Sequence, residues 1–176
     1  MFDPVRICEL LNEEHAAYVV VGGFAAVVHG SSLPTSDIDV VPSRAPENLD
    51  RLARALRRMN ARIRTSGEPV LAPLDGPFLA NMPLMLNLVT DFGEVDLTFS
   101  PSGGLGGFDE WDEHAVVVDI AEGVTVHVAA LDDIIGSKRA AGRLKDQRAL
   151  PYLESLRDQA RLGGADPAVS SADAGP

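Results

Sequence analysis

Between Val20 and Val41 the chain spells a strand, a glycine pair, a helix of small residues and a second strand carrying two acids, an order that leaves few folds open. The run Val20-Val21-Gly22-Gly23-Phe24-Ala25-Ala26-Val27-Val28-His29-Gly30 passes from β-branched to small residues at the glycines. Ser36-Asp37-Ile38-Asp39-Val40 follows shortly. Strand side chains alternate between faces, so Asp37 and Asp39 point the same way with Cα atoms about 7 Å apart, while Ile38 and Val40 point into a core. Two aligned carboxylates beside a helix N-terminus can hold a divalent cation next to a phosphate. The arrangement predicts an α/β (α+β) chain suited to phosphoryl or nucleotidyl transfer.

The bulk numbers narrow the reading. A chain of 176 residues fits a single domain with a real core. Its expected limits are residues 1–162, with a core over 17–130, C-terminal helices over 131–162 and a disordered small-residue tail over 163–176. Aromatics make up 5%, too few for a broad base-stacking platform. The lone cysteine, Cys8, excludes an internal disulfide and a cysteine-based zinc site, and is read as core. No apolar run approaches the roughly 20 residues of a membrane span. Met1-Phe2-Asp3-Pro4 lacks the basic-then-apolar pattern of a signal peptide, so the expected location is the cytoplasm.

Net charge is −11, which at first argues against a nucleic-acid partner. The distribution is uneven, however. From Thr65 to Gly136 there are thirteen acidic residues and no Lys or Arg, so the bases cluster over Arg44–Arg64 and Lys138–Arg148. A clustered basic face on an acidic protein can still bind phosphates through its local field.

Periodicity and punctuation predict the elements. Pro4–Glu14 reads as a helix capped by Asp3, with Val5, Cys8 and Leu11 on its apolar side. Ala17–Val21 is a strand, Gly23–His29 a short helix and Asp37–Val41 a second strand stopped by Pro42. Pro46–Asn60 is amphipathic, with Leu49, Leu52, Leu56 and Met59 as its stripe. Thr65–Pro83 reads as loop. Met85–Thr90 and Glu94–Phe99 form a hairpin around Asp91-Phe92-Gly93, with Glu94, Asp96 and Thr98 on one face. After a glycine-rich loop over Ser100–Gly107, Ala115–Ile120 and Val124–Val128 make another hairpin. Leu131 to about Arg161 is helical, with breaks expected near Gly142 and Pro151.

Asp37, Asp39 and Asp96 are the candidate metal ligands. Each sits in an otherwise apolar, β-branched strand, where a carboxylate is costly unless paired or bound to metal. The set suits two Mg²⁺ ions, one on the triphosphate and one beside an attacking hydroxyl, with Asp96 placed to help accept the proton. Gly22 and Gly23 let backbone approach the β- and γ-phosphates, with the helix N-terminus favouring negative charge.

These residues resemble the nucleotidyltransferase superfamily of the DNA polymerase β type. Ala25, His29-Gly30, Thr35 and Ser36-Asp37-Ile38-Asp39 sharpen the match. Leu131-Asp132-Asp133-Ile134-Ile135-Gly136-Ser137-Lys138 and Arg143-Leu144-Lys145-Asp146 extend it, over roughly Ala17 to Leu153. The whole resembles the AbiEii-like nucleotidyltransferase toxins, including the mycobacterial MenT type. That resemblance implies a mixed β-sheet with flanking helices and a C-terminal helical part. It also implies an NTP substrate, transfer to the 3′ end of tRNA, and a cognate antitoxin protein as partner, with no role for a membrane. Lys138 is the implied triphosphate contact and Asp146 an implied essential acid. Ser36, Arg139 and Arg143 join Gly22, Gly23 and Lys138 as expected nucleotide contacts. Many such proteins carry an arginine near position 33. Here the run is Ser31-Ser32-Leu33-Pro34-Thr35, which leaves nucleobase choice to other residues.

Other acceptors stay open: a protein, or a small molecule such as an aminoglycoside. So does an inactive copy acting as an antitoxin or binding module, although such a copy has no need of costly carboxylates. Asp91-Phe92-Gly93 matches a kinase metal motif, but no lysine precedes Lys138, so it is read as a turn. Gly103-Gly104-Leu105-Gly106-Gly107 lacks the lysine of a P-loop. Trp111 and His29 are read as packing residues. The arginines from Arg51 to Arg64 are the candidate contact for an RNA backbone. Phosphorylation of Thr35 or Ser36 would place negative charge beside Asp37.

Overall fold

Asp3 starts the first helix by accepting from the backbone N–H of Arg6 at 3.0 Å, with Pro4 in the first turn. The computed structural model describes residues 1–163, and the tail expected beyond Gly163 lies outside the described residues. Helix α1 spans Pro4–Glu13 and buries Ile7, Cys8, Leu10 and Leu11. Strand β1 (Tyr18–Val21) then runs into α2 (Gly22–Val28), followed by β2 (Asp37–Pro42) and α3 (Pro46–Arg58). The leucine stripe of α3 is buried as its spacing predicts, down to Met59 at 0% exposure.

Next come β3 (Arg62–Ile63), α4 (Gly76–Ala80), β4 (Met85–Thr90), β5 (Gly93–Thr98) and α5 (Phe108–His114). The chain closes with β6 (Val116–Ala121), β7 (Val124–Val128), α6 (Leu131–Ala141) and α7 (Leu144–Gly163). The strands form one mixed sheet in the order β3-β4-β5-β2-β1-β7-β6. β2 lies antiparallel to β1 and parallel to β5, while β1 runs parallel to β7. α1 packs against α3 and β7, and α2 and α5 pack against β1 and β2. Ile38, Val40, Val19 and Val20 are fully buried between these layers.

The structure differs from the sequence expectations in five places. The stretch read as loop contains α4, whose N-cap Asp75 accepts from Phe78 N at 2.8 Å. The two-residue β3 is too short for a period-2 signal and is fixed by its pairing with β4. α5 is a single short helix rich in acids, held by Trp111, its one buried side chain. The break expected at Gly142 occurs, with φ +62, but Pro151 lies within α7 and does not end it. Gly163, placed in the tail by composition, is the last residue of that helix.

Candidate active site

The register of three central strands brings the acids together. Val21 pairs with Asp39 across β1 and β2, and β2 pairs with β5 so that Asp39 faces Asp96 and Asp37 faces Glu94. Asp37, Asp39 and Asp96 line one cleft of roughly 980 Å³. Gly22, which follows Val21, has φ +69, and a Cβ there would lie 2.1 Å from Asp39 Oδ2. Only glycine can turn from β1 into α2 over that carboxylate. A Cβ on Gly23 would meet Thr35 Oγ1 at 2.8 Å, and the Thr35 hydroxyl donates to Asp37 Oδ1 at 2.9 Å. The glycine pair is thus shaped by contact with the acid-bearing segment. α2 starts without a side-chain cap on its first backbone N–H groups, and its first two residues, Gly22 and Gly23, line the cleft.

Burial, reinforced by the charges of Asp37 and Asp96, pushes the Asp39 carboxyl up to about 6, although Lys145 and Lys138 pull it back. Asp96 is also raised, chiefly by burial, against the opposing pull of Asn87 and Arg64. Arg64 Nη2 lies 3.2 Å from both oxygens of Asp96, and its Nη1 pairs with Glu94. Among the described residues no group of three acidic, histidine or cysteine side chains closes around a common point. Asp96 is engaged by Arg64 and Asp37 by Thr35.

The opposite wall comes from the turn between α6 and α7. Lys138 Nζ donates to Asp146 Oδ1 at 3.3 Å and Arg143 Nε to Asp146 Oδ2 at 2.6 Å. The Asp146 side chain is fully buried. Burial works to raise its pKa, but Arg143 and Lys138 hold it below the ordinary carboxylate value. A buried anion so compensated fixes two cations whose free faces line the cleft. Lys145 and Arg148 also line it. Among the described residues neither has an acidic partner, unlike Arg54, Arg58, Arg139 and Arg161.

Of the expected nucleotide contacts, Gly22, Gly23, Ser36, Lys138 and Arg143 line the cleft. Arg139 does not: it pairs with Glu154 at 2.5 Å and is 57% exposed. One residue beyond Lys138 on a helix is a rotation of about 100°, enough to leave the wall. Arg51 to Arg58 do not offer the expected free basic face either. Arg54 and Arg58 pair with Glu14 and Glu13 of the α1 end, and Arg57 donates to Leu74 O at 3.3 Å. His29 ties α2 to the end of β7 through Ala129 O at 2.8 Å, and Trp111 is buried beneath the cleft with its indole N–H unpartnered. The cleft also takes in Asn87, Lys145 and Arg148, which the sequence does not mark as site residues, and Arg64, which the sequence offers as an RNA-backbone contact. Asn87 and Arg64 reach the site only through strand pairing, but Lys145 was visible as the neighbour of Asp146.

No family model and no curated protein matches the chain. Solved structures do match its fold. The lincosamide antibiotic adenylyltransferase LnuA, lincomycin-bound, is similar with a TM-score of 0.57 at 14% identity, over 86% of this chain and 94% of that one. ANT(2")-Ia, in complex with adenylyl-2"-tobramycin, is similar with a TM-score of 0.52 at 14% identity, over 90% of this chain and 95% of that one. The fold is therefore of the nucleotidyltransferase type, as the sequence resemblance implied.

Proposed function

We propose that this chain is a divalent-cation-dependent nucleotidyltransferase that moves a nucleoside monophosphate from an NTP to an acceptor hydroxyl. The observation that carries the reading is the registered Asp39–Asp96 pair, with Asp37 on the same strand, facing Lys138 and Arg143 across one cleft. The donor set is three carboxylates, and the one nearby imidazole, His29, is bonded to a backbone carbonyl. All-oxygen donors suit a hard ion such as Mg²⁺. Asp37, Asp39 and Asp96 would hold it, and it would supply charge neutralisation at the phosphates and a lowered pKa for the acceptor hydroxyl.

The protein groups divide the remaining work. Lys138 and Arg143, fixed by Asp146, bind the triphosphate, and the uncapped N–H groups at Gly22 and Gly23 meet its oxygens. The acceptor oxygen bonds to the α-phosphorus, the α–β anhydride bond breaks, and pyrophosphate leaves. Asp96, its pKa raised by burial, takes the proton of the attacking hydroxyl.

For the acceptor we infer an anionic chain end, the 3′ hydroxyl of an RNA and of tRNA first. Among the described residues Lys145 and Arg148 have no acidic partner in a protein of net charge −11, where an unneutralised cation in a cleft is best explained by an anionic ligand. The resemblance to nucleotidyltransferase toxins points the same way and brings an antitoxin protein as partner. A second reading, adenylylation of a small molecule, is favoured by the likeness to the two antibiotic adenylyltransferases. Against it for a polycation, the described residues of the cleft offer no acids beyond the three carboxylates.

Each α-labelled NTP, Mg²⁺ and total tRNA, with parallel reactions on lincomycin and tobramycin, test the proposal. Label on tRNA that vanishes with Asp39→Ala is the expected result. Label only on an antibiotic establishes the second reading, and no label on any acceptor overturns nucleotidyl transfer.

A further inference from the structure

Arg64 stands out because it binds the carboxylate that the chemistry needs free. It is the last base before the base-free stretch that begins at Thr65, and its backbone N–H donates to Asn87 O at 2.9 Å, extending the edge of the sheet beside β4. From there its guanidinium reaches across β4 to β5. One nitrogen touches both oxygens of Asp96 at 3.2 Å, and the other pairs with Glu94. Glu94 and Asp96 lie two residues apart on β5, hence on the same face. Glu94 is 40% exposed at its side chain and Asp96 only 9%, so Arg64 bridges a wet carboxylate and a buried one. It is the base on the strand wall, whereas Lys138, Arg143, Lys145 and Arg148 all come from α6, α7 and the turn between them.

We propose that Arg64 is the resident counter-ion of Asp96 and that it competes with the divalent cation for that carboxylate, making it a positioning residue that sets cation affinity. The inference rests on the reading of Asp37, Asp39 and Asp96 as cation ligands. A guanidinium with both terminal nitrogens on carboxylates neutralises Asp96 while the cation is away. A cation on Asp96 displaces only one of its two partners, because Glu94 keeps hold of the other nitrogen. Displacement is therefore partial and reversible. The Arg64 head group then faces the cleft with one end released, where the phosphates of a bound nucleotide offer a new partner. Cation and nucleotide should accordingly bind with mutual help.

The test is Mn²⁺ binding to the full chain, followed by titration calorimetry and by the paramagnetic signal of free Mn²⁺, with no turnover involved. Arg64→Gln should bind Mn²⁺ about tenfold more tightly than the wild type, since one charged competitor is gone. Glu94→Gln should bind it more weakly, since Arg64 then has Asp96 as its sole acid. Opposite signs from two partners of one ion pair are not what simple loosening of the fold produces. A non-hydrolysable NTP analogue should shrink the difference between wild type and Arg64→Gln. If Arg64→Gln does not fold, as judged by circular dichroism, Arg64→Lys replaces it and should still tighten binding, because an ammonium engages one acid at a time. Equal Mn²⁺ affinity in wild type and variant overturns the inference alone. No saturable Mn²⁺ binding in either protein overturns the metal-site reading and the inference with it.

Discussion

The two walls of the cleft hold their charges in opposite ways. The strand wall gathers Asp37, Asp39 and Asp96, like charges whose proximity and burial raise Asp39 to about 6. The helix wall centres on Asp146, a fully buried anion satisfied by Lys138 and Arg143, with its pKa held low. One wall carries a surplus of negative charge, relieved in part by Arg64, and the other a surplus of positive charge, with two cations on Asp146 and Lys145 and Arg148 beside them. A site that must bind a cation and a polyanion needs this contrast, because each ligand finds charge that the fold itself has not used.

The comparison breaks first, and most widely, at Asp39. Asp39→Asn should lower nucleotidyl transfer by about a thousandfold or more, since it removes a proposed cation ligand. The same variant should stabilise the protein when no cation is present. Asp39 is raised from 3.8 to about 6, so its neutral form is favoured in the fold. Ionisation costs the fold up to about 3 kcal/mol above that pH, and the cost fades as pH falls toward 3.8. Calorimetry should show a Tm gain of roughly 5 °C at pH 8 and none near pH 4. A loss of Tm at pH 8 would mean that Asp39 is not strained by its neighbours. Cation binding to wild type should likewise weaken as pH falls below about 6, with protons released on binding.

The helix wall should respond in the other direction. Asp146→Ala leaves Lys138 and Arg143 without their shared acid and should cost about 2–3 kcal/mol in urea unfolding. It should also weaken ATP binding about tenfold by calorimetry, because the two cations lose their placement. Unchanged stability would contradict the central place given to this buried carboxylate.

A smaller effect separates free from occupied bases. Lys145→Ala with Arg148→Ala should leave Tm within about 1 °C, since neither cation forms an ion pair among the described residues and Lys145 offsets only part of the Asp39 charge. The double variant should weaken binding of an anionic acceptor about three- to tenfold and lower its salt dependence. The smallest effect is expected at Arg139, paired with Glu154 on the outer side. Arg139→Ala should shift ATP affinity by less than about twofold, and a larger loss would return it to the nucleotide contacts.

Local pattern carried much of this molecule. The glycine pair, the alternating acids of β2, the stripe of α3 and both hairpins were legible because each is written within a dozen residues and obeys period 2 or 3.6. Cys8 was read as core, and it is buried with its thiol pushed up to about 12 by desolvation. α5 was not legible, since its single buried residue, Trp111, meets partners far away in sequence. α3 lacks the free basic face expected of it for a related reason: sequence counts arginines but does not reveal that Glu13 and Glu14, more than thirty residues earlier, already hold two of them.

By itself, then, the sequence determined the strand–glycine–helix–strand unit, the mixed α/β architecture and the acids at its centre, because steric freedom at glycine and strand alternation are local physics. Only the tertiary structure decided that Asp96 stands in register with Asp39, that Arg64 rather than a distant base answers Asp96, and that Lys145 and Arg148 face the cleft while Arg139 faces away. Those are matters of strand register and helix rotation, set when separate segments bury their apolar faces against one another.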